Sequence, residues 1–166
     1  MIFVTVGTHE QSFNRLLRKI DELIEKGIIT EKVIVQSGFS NYSSNFFEIH
    51  KFLSMDKMEK YIKQARIIIT HGGPASFIAV LQQNKIPIVI PRQKKYNEHI
   101  NDHQVSFVKF ISQKKDNIIP IYNIDKLGRV LIHYDEISKK KSQNIYSNNE
   151  SFNKQLSDII DELLEK

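Results

Sequence analysis

"ITHGGPASF", residues 69–77, decides the fold. An apolar run, "RIIIT" at 66–70, meets His71 and two adjacent glycines, then Pro74 and the stretch "PASFIAVLQQ". Proline fits the first turn of a helix, where its missing N–H is not needed. The stretch therefore predicts a buried strand, a tight turn and a helix opening at Pro74 or Ala75. Free N–H groups at such an opening, with the positive end of the helix dipole, suit a phosphate. Gly72 and Gly73 lack β-carbons, which predicts close approach of the backbone to a diphosphate, and Ser76 can add a hydroxyl donor.

The same device opens the chain. "IFVTV" at 2–6 is a continuous apolar run closed by Gly7, the pattern of a parallel strand buried on both faces. Thr8 and His9 then stand at the strand's end, and histidine titrates in a range suited to acid–base work. "SFNRLLRKIDELIEKG" follows with Phe13, Leu16, Leu17, Ile20, Leu23 and Ile24 at helical spacing, Ser12 as starting cap and Gly27 as stop. Further strands are expected at 32–36, about 49–53, 86–91 and 118–122. Further helices are expected from Met55 to Gln64 with Ser54 as cap, over roughly 98–112, and from Asp125 to about Ile137. Strands alternating with helices predict an α/β fold, a Rossmann-like open parallel sheet covered on both faces. Ligands of such sheets bind outside the carboxyl ends of the strands. Gly7, Ser37, His71 and Arg92 all follow strands, so they converge on one rim.

"PRQKKYNEHINDHQ" at 91–104 is the densest polar cluster and reaches the same rim. Arg92, Lys94 and Lys95 could neutralise phosphate; Asn97, Glu98, Asn101, Asp102 and Gln104 carry the groups that bind sugar hydroxyls. His99 and His103, four apart on the expected helix, have a metal-ligand spacing but no supporting glutamate, and no metal site is expected. Neither a GxSxG elbow nor a GxxxxGK[ST] loop is present, which disfavours a serine nucleophile and P-loop phosphoryl transfer. The rim suits a nucleotide diphosphate carrying a polyhydroxylated group. Residues 138–150 read as a polar linker, and 151–166 as an amphipathic helix that docks on its own sheet or on a partner.

Composition sets wider bounds. A length of 166 residues, 40% hydrophobic and 26% charged, describes one globular domain. There are no cysteines, which excludes disulfides and thiolate metal cages and fits a reducing compartment. No run approaches the roughly 20 apolar residues of a membrane span, and "MIFVTVG" is too short and lacks the basic start of a signal peptide. A cytoplasmic location is expected, with any membrane contact peripheral. The net charge of +5 suits an anionic partner, but scattered lysines and the lack of a recognition motif argue against nucleic acid.

"FVTVGTHEQSFNRLL", "VIVQSGFS", "FLSMDKMEKYIKQARIIITHGGPASF" and "PIVIPRQKKYNEHINDHQ", in that order, resemble the C-terminal half of glycosyltransferase family 28. The short stand-alone version, the catalytic subunit of bacterial capsule and exopolysaccharide transferases, is the most similar, and it resembles the small subunit of the dolichol-linked N-acetylglucosamine transferase. The resemblance implies half of a GT-B enzyme that binds a UDP-sugar. A membrane-anchored partner subunit would supply the acceptor-binding half and hold this chain at the inner face of the membrane. It places the diphosphate against Gly7, Thr8, His71, Gly72, Gly73, Ala75 and Ser76. The sugar falls against Glu98, His99, Asp102, His103 and Gln104, and the uracil near residues 52–55. Larger members carry a ribose-binding glutamate where this chain has Ala79. The implied reaction is inverting transfer, without metal or other cofactor, from UDP-galactose to a polyprenyl-diphosphate-linked saccharide. His9 or Glu10 would serve as base unless the partner supplies it. A non-catalytic subunit that binds nucleotide-sugar is the alternative.

Overall fold

The computed structural model describes residues 1–142. Six strands form one parallel sheet: β1 (Ile2–Thr5), β2 (Val33–Gln36), β3 (Glu48–His50), β4 (Ile67–His71), β5 (Ile88–Ile90) and β6 (Ile119–Pro120). Their order is β3-β2-β1-β4-β5-β6. Register is set by pairs such as Val4 with Val35 on one side and Val4 with Ile69 on the other. The chain builds outward from β1 to β3, then returns to lay β4 on the open side of β1. The order therefore reverses between β1 and β4, and such a reversal opens a crevice at the carboxyl ends of the strands.

Six helices cover the sheet: α1 (Asn14–Glu25), α2 (Met55–Gln64), α3 (Pro74–Leu81), α4 (His103–Lys115), α5 (Leu127–Ile132) and α6 (Tyr134–Ser142). Successive strand side chains point to opposite faces, and both faces here are apolar. Ile2, Val4, Ile67, Ile69, Ile88 and Ile90 pack with Leu16, Leu17 and Ile20 of α1 and Leu127 and Leu131 of α5. Phe3, Ile34 and Ile68 meet Ile62 of α2 and Val80 of α3, while Val89 meets Phe77 of α3 and Val108 and Ile111 of α4. Each such side chain contributes roughly 1.5–3 kcal/mol by leaving water. That two-sided burial is why the strands read as unbroken apolar runs.

Several expected boundaries move. Ser54 caps α2 as expected, its hydroxyl accepting from Lys57 N–H. Ser12 does not cap α1; the Phe13 amide is taken by Ser40 Oγ at 2.9 Å, a residue distant in sequence. The third strand is Glu48–His50 rather than 49–53. The helix expected over 98–112 starts only at His103, because Asn97 adopts φ +56° and Glu98 is drawn into the interior. His99 and His103 therefore do not share a helix. The expected helix 125–137 is a 3-10 turn at Ile124–Lys126 followed by α5 and α6, which break at His133. Helix α6 continues to Ser142, through the start of the expected linker. The expected helix over 151–166 lies outside the described residues.

Candidate functional site at the sheet reversal

The turn after β4 is built around His71. The Gly73 N–H donates to His71 Nδ1 at 2.9 Å, and Ser76 Oγ lies 2.8 Å from His71 Nε2. A β-carbon on Gly73 would stand 2.2 Å from His71 Cε1, and one on Gly7 would stand 2.4 Å from His71 Nε2. The imidazole thus fills the space that the two glycines vacate. The glycines expected to let the backbone approach a diphosphate thus also make room for this ring. Gly7 also holds φ +77°, a left-handed conformation that favours glycine. Burial, reinforced by the nearby Arg92 guanidinium, pushes the His71 pKa down to about 4. The ring is neutral at pH 7 and so can accept at Nδ1.

Helix α3 keeps an open amide at this turn. Gly73 N–H is spent on His71, Pro74 has none, and Ser76 N–H reaches back to Gly73 O at 3.2 Å. Ala75, exposed at the second helical position, has no acceptor for its N–H among the described residues.

The segment after β5 supports the rim from inside. Arg92 is fully buried. Its Nη1 donates to Gln11 O at 2.6 Å and Glu98 O at 3.0 Å, and its Nη2 donates to Val6 O at 2.8 Å. This guanidinium ties three rim backbones together and has no exposed surface, so it stands behind the rim rather than on it. Glu98 is likewise buried, 2% exposed. It accepts from Arg15 Nε at 2.7 Å, Arg15 Nη2 at 2.9 Å and Gln93 N–H at 3.0 Å. Gln104 Oε1 accepts from both Gly72 N–H and Arg92 N–H at 3.1 Å, joining the β4 turn to the β5 end. Asp102 remains exposed, with Oδ1 accepting from Lys94 N–H at 2.9 Å.

The histidines converge. His9, after β1, and His99 contact ring to ring, with centroids 4.4 Å apart. Burial, then the neighbouring His9 and Arg92, lower the His99 pKa. Thr8, Glu10 and His103 are exposed at the same rim. Among the described residues no group of three or more His, Asp or Glu is placed to hold a metal ion.

At the carboxyl ends of β2 and β3, backbone pairing runs past the strands. Ser37 N–H donates to His50 O at 2.8 Å and Gly38 N–H to Lys51 O at 2.9 Å. This brings Phe39 edge-on to Phe52 at 5.3 Å, both rings about half exposed, and Met55, three residues on, is highly exposed. Lys51 Nζ lies over both rings. Residues 52–55, the expected uracil segment, therefore reach the rim with aromatic surface uncovered. Ala79 instead packs against the core beneath α2. Phe39 and Arg15 escaped the sequence reading. Phe39 left one trace, a large apolar residue inside the polar loop "SGFSNYSSN". Arg15 left none, since its partner Glu98 is 83 residues away.

Comparison with known proteins follows the same outline. The profile described as "Glycosyltransferase family 28 C-terminal domain" matches residues 1–163. Among curated proteins none matches the chain. Two solved structures share the fold. The glycotransferase of kitacinnamycin is 14% identical with a TM-score of 0.58, covering 87% of this chain and 37% of its own. The glycosyltransferase SnogD from Streptomyces nogalater is 13% identical with a TM-score of 0.54, covering 88% of this chain and 39% of its own. The chain thus spans under two fifths of either enzyme, and its sheet corresponds to the C-terminal half of a GT-B glycosyltransferase. With the profile running through residue 163, the chain belongs to the family of glycosyltransferase family 28 C-terminal domains.

Proposed function

We propose that the chain is the donor-binding, catalytic subunit of an inverting glycosyltransferase. It takes a UDP-sugar, with galactose as the leading candidate, and serves a polyprenyl-diphosphate-linked saccharide acceptor in capsule or exopolysaccharide synthesis. Glycosyl transfer follows from the family. The observation that carries the finer reading is the rim at the β1–β4 reversal. There an open α3 amide and the His71–Ser76 pair follow β4, and the exposed Phe39–Phe52 pair follows β2 and β3, all at the carboxyl edge of the sheet. The aromatic pair offers π-faces to a base, and the α3 turn offers donors to the diphosphate.

In this mechanism the acceptor hydroxyl attacks the anomeric carbon in line, the carbon–oxygen bond to the β-phosphate breaks, and UDP leaves with inversion. Charge growing on the leaving oxygen is met by the α3 amide and the Ser76 hydroxyl, fixed before the reaction begins. The proposal calls for no metal: N–H and O–H donors at the α3 turn meet the charge of the diphosphate. A membrane-anchored partner closes the other wall of the crevice and holds the chain at the inner membrane face.

A second reading, a subunit that binds nucleotide-sugar without catalysing transfer, is favoured by one observation. Glu98, the buried carboxylate at the rim, is spent on Arg15, leaving the exposed Glu10 without a built base site. Two measurements separate the readings. Calorimetry with UDP should show binding by the wild-type chain that Gly73→Val abolishes. Coexpression with the membrane partner, followed by assay of each UDP-sugar on a lipid-linked acceptor, should show transfer. Binding without transfer from any donor establishes the second reading; absence of binding refutes both.

A further inference from the structure

Three rim histidines make the same local contact. His9 Nδ1 accepts from Gln11 N–H at 3.2 Å, His71 Nδ1 from Gly73 N–H at 2.9 Å, and His99 Nδ1 from Asn101 N–H at 3.4 Å. In each case the donor is the backbone N–H two residues on. A neutral imidazole that accepts at Nδ1 must carry its proton on Nε2, on the far side of the ring. The three rings are also close together, with His9 and His99 in contact and both acting electrostatically on His71.

We propose that His9, His71 and His99 form an uncharged donor triad for a phosphate group, each ring held with its proton on Nε2 by the backbone. The inference rests on the nucleotide-sugar reading above and specifies how that site grips its anion. His9 and His99 contribute Nε2–H groups. His71 donates its Nε2–H to Ser76 Oγ, which leaves the Ser76 proton without an acceptor among the described residues and free for the ligand. Arg92, fully buried behind the rings, supplies positive potential without touching the ligand. The charged and titratable neighbours of His71 are Arg92, His9 and His99, and those of His99 are His9, Arg92 and His103. All of them oppose a second proton on His71 and His99. With Nδ1 occupied and Nε2 protonated, none of the three is the acceptor's base, which removes His9 from that role.

The test uses the full chain labelled with nitrogen-15 at histidine. At pH 7.5 without ligand, long-range proton–nitrogen spectra should show the Nε2–H form for all three rings. An Nδ1–H or doubly protonated ring at any of them overturns the triad. Addition of UDP, or of inorganic pyrophosphate, should move the Nε2–H signals of His9 and His99. Side-chain isosteres then separate donor from scaffold. Asparagine retains a polar group near the Nδ1 position only, whereas glutamine places an N–H near Nε2. His9→Asn and His99→Asn should each weaken UDP binding by about ten-fold, the loss expected for one hydrogen bond to a charged group. His9→Gln and His99→Gln should each bind at least about three-fold more tightly than the asparagine counterpart. Wild-type affinity in the asparagine variants, or glutamine no better than asparagine, sinks the triad while leaving the nucleotide-sugar reading intact. If wild-type chain fails to bind UDP, that reading falls, and the pyrophosphate titration decides the triad by itself.

Discussion

Acidification should destabilise the protein through His71, and the size of the effect follows from its surroundings. The ring's ordinary pKa of 6.5 falls to about 4 in the fold, chiefly through burial and secondarily through Arg92. The folded state therefore resists a proton that the unfolded chain accepts, so stability is whole above pH 6.5 and is lost as pH falls towards 4. At pH 5.0 the unfolded ring is almost fully protonated and the folded one is not, a difference of about 2 kcal/mol. Carboxylates with ordinary or lowered pKa values are still mostly ionised at that pH, so their own linkage stays small. With a urea m-value of about 2 kcal/mol/M, the unfolding midpoint should drop by about 1 M between pH 7.5 and pH 5.0 on account of His71. The assay is equilibrium urea unfolding of wild type and His71→Asn at both pH values. Asparagine can still accept the Gly73 N–H but does not titrate. The variant will be less stable at pH 7.5, yet its pH dependence should be shallower by about 2 kcal/mol. Equal pH dependence in the two proteins would refute a neutral, buried His71.

Other perturbations follow from the same contacts. Gly73→Ala should displace the His71 ring, since the new β-carbon would stand 2.2 Å from Cε1. A destabilisation of about 1–3 kcal/mol is expected by thermal or urea unfolding. Arg92→Met should leave the carbonyls of Val6, Gln11 and Glu98 without their donor and destabilise the fold by at least about 3 kcal/mol. Unchanged stability with weakened UDP binding would instead make Arg92 a phosphate ligand. Phe52→Ala, at a half-exposed ring, should alter stability by less than about 0.5 kcal/mol. Calorimetry should show UDP binding weakened by about 1–3 kcal/mol while pyrophosphate binding is unaffected; equal losses for both ligands would exclude stacking on the base.

Elements were legible wherever neighbours in sequence are neighbours in space. The run Ile2 to Val6, the stripe of α1, the Ser54 cap and the Pro74 opening each follow from contacts within a few residues. The failures share a feature. The start of the helix expected over 98–112 moves because Glu98 answers to Arg15, and the cap of α1 because Phe13 answers to Ser40. The burial of Arg92 and Glu98 leaves no trace in the sequence, because a polar loop and a buried ion network have the same composition.

Sequence by itself determined that this chain forms an α/β sheet buried on both faces, with glycine turns at its strand ends. Apolar periodicity and turn chemistry are local properties, and they suffice for that much. Only the tertiary structure decided that β1 and β4 lie side by side at the reversal, and that His71 fills the gaps beside Gly7 and Gly73. A glycine records that something comes close, but what comes close is set by strand order. Strand order in turn depends on long-range packing that no short stretch of residues encodes.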